Sequence, residues 1–230
     1  MICRFAAEAA GTYILTLGVA MLVYTGNGTS YWPALSLFTA MNFTGFISGG
    51  QFNPAVSAAA LGKNFLQRSL TIEVIIELGG YIILQFVFGF LGAFTSYAIV
   101  GQTNDIKIAN SSGTVEGVFA EVAFSTALVG CAMMAGEYKE SPLLGGGAVA
   151  SALLAGAYAV GGISGAVFNP AVGLGVNLMH IMENTGSSIK DTWVYFLGPF
   201  GGAAIAVCLN FIFLLQVKED DYKQQPQEDE

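Results

Sequence analysis

Apolar residues collect in six long blocks, about 5–24, 32–50, 71–99, 115–136, 142–162 and 192–217, and polar residues gather in the gaps between them. A helix needs roughly 20 mostly apolar residues to cross a bilayer, so each block predicts one spanning helix. Two further apolar stretches, about 53–62 and 169–180, are only half that long. Each begins at an Asn-Pro pair, and they end near Gly62 and Asn184. Inside a membrane chain such segments read as re-entrant half-helices, which are tolerated where irregular backbone is buried in protein or lines a cavity. The predicted fold is an all-α membrane protein with six transmembrane helices and two half-helices.

Composition agrees with that solvent. Hydrophobic residues make up 54% of the chain and charged residues 10%, and the mean hydropathy is +0.62. A soluble domain carries about 25% charged residues. The first block holds Glu8 and lacks a small-residue cleavage site, so it reads as a span rather than a signal peptide. Cys3, Cys131 and Cys208 fall in or beside spans and predict free thiols that pack as small hydrophobes.

The pattern occurs twice. Ile47-Ser48-Gly49-Gly50-Gln51-Phe52-Asn53-Pro54-Ala55-Val56 matches Ile163-Ser164-Gly165-Ala166-Val167-Phe168-Asn169-Pro170-Ala171-Val172 at a distance of 116 positions. Upstream, Glu8 and Glu121 open corresponding helices. Residues 1–217 therefore form one channel-like domain of two repeats, about 1–100 and 115–217. Three spans per half force the second half into the membrane from the opposite side. Inverted repeats of this kind place a transport site where they meet.

Asparagine is a favoured N-cap, and proline suits the first helical position because its missing N–H would be unpaired there. Each half-helix thus starts at its asparagine near mid-membrane, and two positive helix ends face one point. The Asn53 and Asn169 amides can donate into the gap. Carbonyls of 48–52 and 164–168, outside regular helix, can line a path as acceptors. Water keeps its hydrogen bonds along such a path, while a cation or proton meets the positive ends.

With the N-terminus inside, Arg4, Lys63, Arg68, Lys139, Lys218 and Lys223 lie on the cytoplasmic side and Lys107 and Lys190 outside, as the positive-inside rule prefers. Both termini are then cytoplasmic. That orientation puts the sequons Asn27-Gly28-Thr29 and Asn110-Ser111-Ser112 on the far side. Half of the net charge of −8 comes from residues 218–230, where six acids meet Lys218 and Lys223. This stretch predicts an acidic, disordered cytoplasmic tail. No basic surface suits nucleic acid.

On the paired boxes, the Ala7-Glu8-x-x-Gly11-Thr12 opening, Tyr81-Ile82-Ile83-Leu84-Gln85 and Trp193-Val194-Tyr195-Phe196-Leu197-Gly198-Pro199, the chain resembles the major intrinsic protein family, the aquaporins and aquaglyceroporins. The resemblance covers about residues 5–217. It implies a right-handed bundle, one pore per subunit, usually a homotetramer, and a structural role for Glu8 and Glu121 in bracing the re-entrant loops. It also implies a pore built on Asn53, Pro54, Ala55, Asn169, Pro170 and Ala171, and a constriction near Val172, Ala166, Ala157 and Pro33, with Trp32 or Leu35 as alternatives to Pro33.

The departures matter as much. Val172 stands where the family usually has arginine, Gly173 follows it in place of Ser or Asp, and Gln51 stands where histidine is frequent. An apolar constriction could be wide and permissive, or it could dewet and close. Elsewhere, Glu73 and Glu77 share one face at the start of a span and read as solvated. Gly45/Gly49 and Gly161/Gly165 have the spacing of close helix crossings. His180 reads as a surface or packing residue, with a pH-dependent gate as the other possibility.

Neither a nucleophile–base constellation nor a metal-ligand cluster is present in the sequence, and no cofactor is implied. The chain reads as a passive channel for water and small neutral solutes of glycerol or urea type, not as an enzyme. The alternatives are an accessory subunit of a larger membrane complex with an impaired pore, and a coupled transporter. The membrane that houses it is open.

Overall fold

The structure is a computed structural model and describes residues 1–25, 31–137, 142–184 and 190–224. The sequon at Asn27, Lys139 and residues 225–230 lie outside the described residues. In chain order the helices are α1 (Ile2–Thr25), α2 (Tyr31–Ala40), α3 (Phe46–Ser48), α4 (Pro54–Leu66), α5 (Ile72–Val100), α6 (Thr114–Glu137), α7 (Pro142–Ser164), α8 (Pro170–Glu183) and α9 (Val194–Gln224). No strand occurs among the described residues.

Five helices are long and apolar enough to cross a membrane: those of α1, α5, α6, α7 and α9. The remaining block, about 32–50, is helical from Tyr31 to Ser48 but is not one regular helix, because Met41–Gly45 winds as a π turn. Two side chains take main-chain carbonyls there: Asn42 Nδ2 donates to the Phe38 carbonyl at 2.8 Å, and Thr44 Oγ1 to that of Ala40 at 3.1 Å. Such local competition, next to Gly45, favours a widened turn. With α4 and α8 the fold is six transmembrane segments and two half-helices in two inverted repeats. Large apolar side chains face outward, among them Phe46, Phe119 and Leu144, each about 70% exposed (69%, 71% and 73%). That surface suits lipid.

The first half-helix runs past Gly62 to Leu66, and the second ends at Glu183 with Asn184 as its cap, where the sequence predicts its end. The last helix also continues to Gln224, so backbone at 218–224 is helical where a disordered tail is expected. Neither glycine nor proline occurs between Gly202 and Pro226 to stop it.

The helices meet through glycines, but not those with the predicted spacing. A methyl on Gly92 would lie 2.8 Å from the Tyr13 carbonyl of α1, and one on Gly202 2.6 Å from the Val122 carbonyl of α6. These contacts join α5 to α1 and α9 to α6, as equivalent pairs of the two repeats. Gly89 of α5 and Gly175 of α8 cross backbone to backbone. Gly161 faces open space instead, and Gly49 (φ 97°) and Gly165 (φ 87°) end their helices in the left-handed region. Close packing in lipid favours small residues; spacing alone does not say which ones are used.

Candidate functional site

Each half-helix is capped as its sequence predicts. Asn53 is extended (φ −153°) and its Oδ1 accepts from the Ala55 N–H at 2.9 Å. Asn169 (φ −148°) accepts from Ala171 at 3.0 Å and Val172 at 3.4 Å. The other end of each carboxamide crosses to the opposite repeat. Asn53 Nδ2 donates to the Phe168 carbonyl at 2.8 Å, and Asn169 Nδ2 to the Phe52 carbonyl at 2.9 Å. One N–H of each amide is thus committed. The second has no protein acceptor among the described residues.

The segments before the caps carry left-handed residues in the same order twice: Gly49, Gly50 and Phe52 in one repeat, Gly165, Ala166 and Phe168 in the other. For a non-glycine residue such a conformation costs on the order of 1–3 kcal/mol and persists only when its surroundings fix it. The two glutamates do so, each from a fully buried position. Glu8 accepts the N–H groups of Gln51 (2.9 Å) and Phe52 (2.8 Å) and the Gln85 amide (2.9 Å). Glu121 accepts those of Val167 (2.9 Å) and Phe168 (2.8 Å) and the Ser164 hydroxyl (2.8 Å). The Tyr81 hydroxyl lies 3.2 Å from the Ser48 carbonyl, and Tyr195 donates to that of Ser164 at 2.7 Å. Neither tyrosine stands out in the sequence as part of this frame. Among the described residues the carbonyls of Gly49, Gly50 and Gln51, and of Gly165, Ala166 and Val167, accept no protein hydrogen bond.

A cavity of about 80 Å³ lies against both asparagines. A water needs only about 10–15 Å³ of such space, so a short file fits. Val172, Ala166 and Pro33 line it together, while Trp32 and Leu35 are half exposed and lie outside its lining. Ala157 does not line it; Leu153, one turn earlier on α7, does. The rest of the wall is largely aliphatic, with Gln51 the other polar side chain. A second cavity, about 420 Å³, begins at Ser48 and Gly49 and is lined by Arg4, Met41 and Gly146 among others.

Ile106 also lines the smaller cavity and was not legible in the sequence, since it sits in the polar gap before α6. Asn177 of α8 pins it from 71 positions away, accepting the Ile106 N–H at 2.7 Å and donating to its carbonyl at 2.9 Å. The same amide reaches Thr192 at 3.0 Å. Replacing Asn177 by leucine strands both main-chain groups, at about 1–3 kcal/mol each. Hydrogen exchange at Ile106 is expected to rise by at least roughly tenfold in that variant, as a change near 1.4 kcal/mol implies. Unchanged exchange there would mean that the segment is held by something else.

Two polar residues have more partners than expected. Glu77 is not simply solvated: Arg4 Nη1 bonds both its oxygens at 3.0 and 3.1 Å, and the Tyr81 hydroxyl donates to it at 3.0 Å. His180 Nδ1 lies 3.0 Å from Thr103 Oγ1 and 3.2 Å from Asn184 Nδ2, and Thr103 also bonds Glu183. Among the described residues no three of His, Cys, Asp and Glu gather closely enough to hold a metal.

Comparison with known proteins bears on this geometry. A family model described as major intrinsic protein matches residues 4–210. Aquaporin TIP1-2 of Zea mays is 34% identical over 194 residues, 80% of this chain and 69% of that protein. A protein described as probable aquaporin NIP4-2, from Arabidopsis thaliana, is 28% identical over 210 residues, 86% of this chain and 70% of that one. The X-ray structure of the aquaglyceroporin from Plasmodium falciparum superposes with a TM-score of 0.77. It covers 90% of this chain and 93% of its own at 18% identity, a likeness of fold.

Proposed function

The chain belongs to the major intrinsic protein family, and from that premise we propose that it is a passive transmembrane channel for water and small uncharged solutes. The observation that carries the reading is the meeting of Asn53 and Asn169 beside a cavity, each with one amide N–H already bonded across the repeat and one left over. A water passing there accepts from the spare N–H groups and donates to carbonyls of the two re-entrant segments. Both positive ends of α4 and α8 oppose cations at the same point. Val172, Ala166, Pro33 and Ile106 form the constriction, without a fixed cation.

The protein assembles as a homotetramer with both termini on the cytoplasmic side, the arrangement that the family resemblance and the distribution of Lys and Arg favour. Glu8 and Glu121 act as braces and not as proton carriers, since protein donors occupy both oxygens of each.

Stopped-flow osmotic shrinkage of proteoliposomes tests the reading, with glycerol and urea gradients run in parallel. Wild type is expected to exceed empty liposomes in water flux and to pass neutral solutes. Val172→Arg is expected to cut solute flux about tenfold, which corresponds to roughly 1.4 kcal/mol on the barrier. One observation favours a second reading, an accessory subunit with a closed pore: the wall around Val172 is almost wholly aliphatic, and Val172 is buried. A dry ring of this kind can close a path. Folded wild-type protein no faster than empty liposomes would sink the channel reading, and stable association with other membrane proteins would then favour the subunit.

A further inference from the structure

The two repeats share their caps, glutamates and tyrosines, and three of the positions at which they differ carry polar side chains in the first repeat only. Gln51, Ser57 and Gln85 of the first repeat correspond to Val167, Gly173 and Pro199 of the second, counted from the paired asparagines and tyrosines. These three residues, apart in sequence, are hydrogen-bonded to one another. Gln85 Nε2 donates to Glu8 at 2.9 Å and to Ser57 Oγ at 2.9 Å. Ser57 Oγ lies 2.6 Å from Gln51 Oε1. Three differences that fall on mutually bonded side chains point to one polar unit with one task.

The chain of donors has a fixed direction. The acidic oxygen of Glu8 demands the NH₂ end of Gln85, and the second N–H of that amide fills a lone pair of Ser57. Ser57 then has one proton to give. Gln85 Oε1 lies 3.2 Å away, whereas the 2.6 Å spacing to Gln51 suits O–H···O and is short for N–H···O. Gln51 therefore turns its oxygen to Ser57 and its NH₂ away from it. Gln51 lines the cavity beside Asn53, and its Nε2 has no protein acceptor among the described residues. In the second repeat, Val167 offers the cavity no such group.

We infer that Gln51 is a specificity-determining residue, held by the Glu8–Gln85–Ser57 relay as a one-way hydrogen-bond donor to the lumen. The inference rests on the channel reading. It adds a donor to those of Asn53 and Asn169 in a cavity otherwise lined by aliphatic side chains. A carbonyl oxygen accepts more strongly than a hydroxyl oxygen, so the added donor favours a small carbonyl compound of urea type, whose N–H groups turn to the main-chain carbonyls, over glycerol. Water depends on Gln51 less, because it can donate to the main-chain carbonyls on either side of the waist.

The test compares urea, glycerol and water fluxes in proteoliposomes for wild type, Gln51→Met, Ser57→Ala and the double variant. Methionine keeps the length of the side chain and removes the donor. Gln51→Met is expected to lower urea flux about tenfold, with water flux changed less than about twofold, the tenfold figure being one hydrogen bond near 1.4 kcal/mol. Ser57→Ala frees the amide to turn and is expected to lose part of the urea flux. The double variant is expected to lose no more than Gln51→Met alone, since both act through one group. Melting of each variant in detergent screens for misfolding, and Gln51→Glu, which keeps the Ser57 bond but presents an acceptor, serves as the second replacement.

A conducting wild type whose urea-to-water ratio survives both Gln51 replacements overturns the assignment of Gln51 alone. Additive losses from Gln51→Met and Ser57→Ala overturn the relay. A folded wild type with no flux above empty liposomes overturns the channel reading and this inference with it.

Discussion

Glutamine in place of Glu121 is expected to lower the melting temperature in detergent by roughly 5–10 °C and to bring water flux to the level of empty liposomes. The two side chains have nearly the same shape, so the difference is one of hydrogen-bonding capacity. Both oxygens of Glu121 are used: Oε1 accepts from Val167 N–H and Ser164 Oγ, and Oε2 from Phe168 N–H. The amide presents an NH₂ to one of those main-chain N–H groups, and donor then faces donor in a fully buried site. Each orphaned group costs about 1–3 kcal/mol, and for a chain of this size 1 kcal/mol shifts the midpoint by roughly 2–4 °C. The left-handed residues Ala166 and Phe168 lose what fixes them, so the carbonyls beside the cavity lose their alignment. Glu73→Gln, on an exposed residue of the first turn of α5, is the control and is expected to change neither quantity. Wild-type melting and flux in Glu121→Gln would mean that the loop is shaped by its other contacts and not by the carboxylate.

A single methyl at Gly175 is expected to do more. The added Cβ would lie 2.9 Å from both the carbonyl carbon and the oxygen of Gly89, and 3.0 Å from Phe90 N. These are main-chain atoms and cannot rotate aside, so α5 and α8 must separate and α8 must leave its place beside Asn53. Losses above about 4 kcal/mol are exceptional for one substitution and arise from overlaps of this kind. Gly175→Ala is expected to yield little monodisperse protein on size exclusion. Gly161→Ala, which meets nothing within 4 Å, is expected to be tolerated or to gain about 0.5–1 kcal/mol from helix propensity. The sequence spacing marks Gly161 and not Gly175 as a crossing point, so the pair also separates the two bases for the prediction. Equal behaviour of the two variants would refute the crossing geometry.

That contrast shows what could be read in the chain before the fold was known. Hydrophobic block length located the spans and the half-helices, because a bilayer imposes a length on anything that crosses it. Asn53-Pro54 and Asn169-Pro170 announced their helix starts through cap chemistry local to three or four residues. Val172, Ala166 and Pro33, named from family positions, share the lining of one cavity. The features missed depend on partners far away in sequence. Ile106 reaches the cavity because Asn177 holds its backbone, and nothing in its neighbourhood of polar residues encodes that. Tyr81 and Tyr195 look like ordinary aromatic residues of apolar helices until their hydroxyls are seen on the carbonyls of Ser48 and Ser164. Ala157 lies outside the lining of that cavity, where Leu153 of the same helix stands instead. The π turn at 41–45 and the helical extension to Gln224 are local, but composition alone gives them only weak signals.

The exchange of amides between Asn53 and Asn169 also sets a timetable for biogenesis. Asn53 donates to a carbonyl 115 positions downstream. At about 5–20 residues per second, a ribosome takes on the order of ten seconds to supply it. Seated during that interval, the first half would hold its cap amide and the Phe52 carbonyl unpaired at mid-membrane depth, where water is scarce. The first half-helix must wait at the translocon or near the surface and take its final seat only after the second arrives. A chain interrupted between the repeats therefore leaves a product that lacks a stable resting state, and it is suited to disposal rather than to half a function.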